Sequence, residues 1–82
     1  MVEGAGGRLP RATGREIVAA LQRGGFRLSH VRGSHHYLRR EGAAGLVVVP
    51  VHGGRDVPLS VLRSILRQAE MSADDLRALL RG

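Results

Sequence analysis

Phe26-Arg27-Leu28-Ser29-His30-Val31-Arg32-Gly33-Ser34-His35-His36-Tyr37-Leu38-Arg39-Arg40 is the stretch on which the fold turns. Before it, apolar residues recur at helical spacing; from Phe26 the period drops to two. Phe26, Leu28 and His30 alternate with Arg27, Ser29 and Val31, the pattern of a half-buried strand. Arg32-Gly33-Ser34 has the composition of a turn, because glycine enters positive φ at little steric cost. His35 to Arg40 reads as a second strand.

On the C-terminal side, Glu41-Gly42-Ala43-Ala44-Gly45 is a loose hairpin loop. Leu46-Val47-Val48-Val49 follows, a β-branched run suited to the inner face of a sheet. Three strands with short links make an antiparallel meander. On the N-terminal side, Thr13 reads as a helix N-cap and Glu16, three residues on, completes a capping box. That helix reaches about Arg23 with Ile17, Val18, Ala20 and Leu21 as its apolar stripe, and Gly24-Gly25 stops it.

Beyond the strands, Pro50 to Asp56 leaves the sheet as a loop. Pro58 suits a helix start, where a missing N–H costs nothing. Leu59, Leu62, Ile65, Leu66 and Ala69 supply the buried stripe of that helix, with Arg63 and Arg67 on another face. Ser72 caps a short final helix, with Asp75 at N3, a Met71–Leu76 staple, and Leu76, Leu79 and Leu80 as its apolar side. The expected class is α+β, helix–three strands–helix–short helix. Residues 1–12 are expected to form a flexible tail and residues 13–82 a single domain.

At 82 residues the chain has one modest core, and with no cysteine it has no disulfide or zinc–thiolate staple. No apolar run is long enough for a bilayer and no signal-peptide core is visible, so a cytoplasmic protein is expected. The net charge is +6 and all thirteen basic residues are arginine, a balance that attracts polyanions. The absence of lysine excludes a Walker-type phosphate loop and a Schiff-base lysine.

The chemistry-bearing residues sit around the turn. Imidazole moves protons near neutrality, and the arginine fork matches phosphate. His35 follows Gly33-Ser34 directly, where a strand end is open to substrate. His36 must face the opposite side of the sheet and reads as a core-edge residue. His52 follows the third strand, in a Gly-Gly loop able to approach the sheet, and His30 is the least suited to chemistry. Four histidines without carboxylates or cysteines at ligand spacing do not make a metal motif, and no metal or cofactor is expected. Ser34 has no nominated acid to complete a triad, and scattered acids argue against a carboxylate pair. General acid–base cleavage of RNA remains, because RNA carries its own 2′-OH nucleophile. The alternative is a module of the same fold that binds RNA without cutting it, and a third is a protein that lives mainly in a complex with an acidic partner. Tyr37, one of only two aromatics, is expected in the core.

Five elements together resemble the HicA (YcfA-like) toxins: Thr13-Gly14-Arg15-Glu16, Gly25-Phe26, Gly33-Ser34-His35-His36, Val49-Pro50-Val51-His52-Gly53-Gly54, and Leu62 to Ala69. The resemblance implies a double-stranded-RNA-binding-like α-β-β-β-α fold, a three-stranded antiparallel sheet with helices on one face and a short extra C-terminal helix. It implies a metal-independent endoribonuclease, an mRNA interferase, held in check by a HicB-type antitoxin. The family's catalytic histidine falls on His35 and its glycine on Gly33. With these, Ser34, Arg32, Arg39 and Arg40 are expected to bind RNA, and His52 is a candidate auxiliary. His35 acting alone is the favoured form, with His52 holding the Gly53-Gly54 loop by hydrogen bonding. The chain departs from the family pattern at Ser60-Val61, at Glu70, which replaces a helix-end glycine, and at Glu41-Gly42-Ala43.

Overall fold

The structure, a computed structural model, describes residues 8–82; the first part of the expected tail, residues 1–7, lies outside them. The rest of that segment packs on the domain. Ala12 is 3% exposed in the core, Leu9 lies against it, and Arg77 donates to the Arg8 carbonyl.

Helix α1 (Gly14–Arg23) begins at the capping box read from the sequence. Thr13 N–H donates to Glu16 Oε1 at 2.8 Å, and Glu16 N–H donates to Thr13 Oγ1 at 3.2 Å. Such a cap contributes about 1 kcal/mol. Burial of Ile17 and Leu21, each worth about 1.5–3 kcal/mol, outweighs it, so packing holds the helix and the cap sets where it starts. The helix ends at Gly24, and Gly25 takes φ +99° to turn the chain into the sheet.

The sheet runs β1 (Arg27–Arg32), β2 (His35–Arg39) and β3 (Val47–Pro50), antiparallel and in sequence order. Its inner face carries Leu38, Val47 and Val49, all fully buried beneath α1 and α2 (Leu59–Ala69). Helix α3 (Ala73–Leu80) packs on α1. Its cap matches the sequence: Asp75 N–H donates to Ser72 Oγ and Ser72 N–H to Asp75 Oδ2, both at 3.0 Å. The architecture is the expected α+β arrangement, three helices and an open three-stranded sheet.

Three local expectations are corrected. β1 is not half-buried: all six residues are exposed, because it is an edge strand that α1 touches, whereas β3 packs against both α1 and α2. Nor do Leu28 and His30 share a face. The register shifts between them, so Leu28 pairs with Leu38 on the inner side and His30 with Tyr37 on the outer. A bulge inserts one residue and reverses the alternation, which a period-two pattern cannot reveal. On α2, Leu62, Ile65, Leu66 and Ala69 are buried as expected, but Leu59 is 45% exposed. It opens the helix and stands clear of the core that the following turns reach.

Candidate functional site

Arg32 pairs with His35, so the β1–β2 hairpin is closed by two residues, Gly33 and Ser34. Gly33 has φ +59°, the sign that a type II′ hairpin requires at its first central position. This turn brings His35 out exposed at the start of β2, on the face opposite the core. Alternation then sends His36 to the inner face opposite Val49, where its Nδ1 is buried without a hydrogen-bond partner.

His35 pairs with Pro50 of β3. One step on, Val51 N–H donates to Ser34 O at 2.7 Å, extending the ladder past the end of the strand. His52 follows at once and opens a tight turn, closed by Arg55 N–H donating to His52 O at 3.1 Å with Gly53 at φ +57°. His35 and His52 therefore line one open groove of about 550 Å³, between the outer face of β3 and helix α2. Val48 and Pro50 contribute apolar surface to it, Ser60, Ser64 and Gln68 of α2 contribute polar groups, and no lining side chain is acidic. Among the described residues neither histidine ring makes a hydrogen bond.

The arginines divide by strand alternation. Arg32 beside His35, and Arg39 opposite Arg27, stand exposed on the same outer face as His35. Arg40 does not join them. Its guanidinium lies 4.6 Å from the centre of the Phe26 ring and donates to Ala69 O at 3.3 Å, on the helix side of the sheet. Ser34 is half-buried with its carbonyl taken by Val51, and Gly33 is exposed with no atom within 4 Å of the place a Cβ would occupy.

Tyr37 is not a core residue. It is half-buried on the outer face, stacked on His30 with ring centres 4.4 Å apart and planes 7° from parallel. The bulge before His30 makes this stack, which is why neither ring's place followed from the sequence. Ser60, Ser64 and Gln68 were also unanticipated as groove residues, although they stand four apart along α2, a spacing that puts them on one helical stripe. Among the described residues, no group of three His, Asp or Glu gathers as a metal site would need, and no helix is long and apolar enough to cross a membrane.

A family model described as the HicA toxin of bacterial toxin–antitoxin systems matches residues 14–71. The chain belongs to the HicA toxin family. The match spans α1, the whole sheet and α2, so it includes both groove histidines and the hairpin turn. Helix α3 lies beyond the matched residues. Membership makes the chain a HicA-type toxin, a component of a toxin–antitoxin system with an antitoxin as its general partner. Comparison with curated proteins gives no match.

Proposed function

We propose that this HicA-family chain is an mRNA interferase, a metal-independent endoribonuclease that acts in the cytoplasm and is silenced by a HicB-type antitoxin. The observation that carries the reading is the meeting of His35 and His52 in one open groove free of acidic side chains, with Arg32 beside His35. An RNA phosphodiester placed there meets proton carriers and a cationic surface together. In the reaction the 2′-oxygen bonds to phosphorus as its proton leaves to a base. The bond from phosphorus to the 5′-oxygen breaks as that oxygen takes a proton from an acid. The products are a 2′,3′-cyclic phosphate and a free 5′-hydroxyl. His35 is the principal proton carrier, with His52 as the second, and Arg32 and Arg39 hold the phosphate chain. DNA, without a 2′-OH, would not be cut by this route.

The test compares wild type with His35→Ala on a labelled single-stranded RNA. Cleavage should fall at least a hundredfold, the usual worth of a general acid–base group. The melting curve should stay within about 0.5 kcal/mol, because an exposed side chain packs little. Unchanged cleavage by the folded variant would take the catalysis away from His35, and a wild type that binds the RNA without cutting it would leave an RNA-binding module as the better description.

A further inference from the structure

We infer that the α2 side of the groove is a base-reading subsite, in which the Gln68 side chain selects a nucleobase with a carbonyl at pyrimidine C4 or purine C6, uracil or guanine, next to the cleaved phosphodiester. This rests on the ribonuclease reading of His35 and His52 and extends it from chemistry to substrate choice.

The orientation of Gln68 is decided by its partner. Val48 N–H donates to Gln68 Oε1 at 3.0 Å. Val48 lies on the edge strand, and its N–H is one that the β2 ladder leaves open. A main-chain N–H can only donate, so the amide oxygen must face it. The two Nε2–H donors are then left over, and among the described residues no group accepts them. An exposed side chain normally spends such donors on water. Here one end of the amide is pinned to the sheet, so its donors are presented to the groove at little further entropic cost.

The surroundings suit a base. Val48, Pro50 and Val61 supply apolar contact for a flat ring, and the groove's volume of about 550 Å³ falls within the ~300–1,000 Å³ usual for small-molecule sites. The same cavity contains His35 and His52, so a base lying in it is attached to the phosphate that those histidines reach. Ser64 Oγ donates to Ser60 O at 3.5 Å and accepts from Arg67 at 3.3 Å, which leaves Gln68 as the oriented donor of the stripe. A donor reads an acceptor. At the C4 position of a pyrimidine or the C6 position of a purine, uracil O4 or guanine O6 satisfies it, whereas the exocyclic amine of cytosine or adenine at the same place meets it donor to donor.

Gln68→Glu keeps an oxygen for Val48 N–H and turns the free donor into an acceptor. Wild type, Gln68→Glu and His35→Ala are incubated with a randomised RNA pool, and the fragment ends are sequenced. Wild type should cut with uracil or guanine enriched at one position flanking the break. Gln68→Glu should cut more slowly, with the ratio of keto to amino bases there shifted about tenfold towards adenine and cytosine. A wild type without base preference, or a Gln68→Glu enzyme with the wild-type preference, overturns the subsite and leaves the catalytic reading standing. Equal cleavage by His35→Ala overturns the catalytic reading and the subsite with it. If Gln68→Glu does not fold, the His35→Ala protein, with Gln68 intact, decides by NMR. Its Gln68 side-chain amide signals should move with oligouridine or guanosine dinucleotides and stay still with oligoadenosine or oligocytidine. Equal movement with all four overturns the proposal.

Discussion

Val51 N–H donates to the Ser34 carbonyl across 2.7 Å, joining the exit of β3 to the hairpin turn that precedes His35. This bond carries the chain into the His52 turn beside the start of β2. It also changes the expectation for His52. The turn that begins at His52 is closed by a backbone bond from Arg55, so the ring is not needed to hold the loop.

Cleavage should therefore rise and fall with pH, one histidine acting as base and the other as acid. His52→Ala should remove one limb and lower the maximal rate by about a hundredfold. A single-limbed wild-type profile, with the same shape in His52→Ala, would assign all proton transfer to His35.

Arg39 and Arg40 should separate in their effects. Arg39→Gln should reduce the slope of log K against log[salt] for RNA binding by an inactive variant, by about 0.7 per lost phosphate contact, and leave stability alone. Arg40→Gln should cost about 1–2 kcal/mol in urea unfolding, through loss of the Phe26 and Ala69 contacts, with little change in slope. Matching slopes for the two variants would show that RNA does not follow the outer face.

Gly14 meets the end of β3 so closely that a Cβ there would lie 2.2 Å from Pro50 O and 2.9 Å from Val51 Cα. Gly14→Ala improves helix propensity by up to about 1 kcal/mol. Because the clash is with backbone, overpacking should win, with a net loss of about 1–3 kcal/mol in denaturant titration. The same displacement should slow cleavage, since the strand end it pushes leads into His52.

Glu70 occupies the left-handed region at the end of α2, φ +56° and ψ +46°, a conformation that favours glycine. A side chain there costs roughly 1 kcal/mol. Glu70→Gly should raise stability by about 0.5–1 kcal/mol, read as a higher melting temperature with unchanged activity.

The Asp75 carboxyl is held below its ordinary value of 3.8, first by the Ser72 backbone N–H and then by the Ser72 hydroxyl. A depressed carboxyl adds stability above its unfolded pKa and loses it as pH falls through the folded one. The melting-temperature gap between wild type and Asp75→Ala should be full near neutrality and narrow as pH drops below about 4. A gap that persists at low pH would mean the carboxylate charge contributes nothing to the cap.

The sequence alone determined the order of elements, both capping boxes, the hairpin turn at Gly33-Ser34 and the strand start at His35. Each depends on neighbours within a few residues, where capping, φ preference and alternation act directly. Tertiary structure decided the rest. It brought His35 and His52 into one groove by way of the Pro50 pairing and the Val51–Ser34 bond. It sent Arg40 to Phe26 and left Arg39 outside. It stacked His30 on Tyr37 through a bulge, and pinned Gln68 to the open edge of β3. These features depend on which strand lies at an edge, where the register slips and which backbone donor is left unpaired. Such properties belong to segments distant in the chain, and no local pattern contains them.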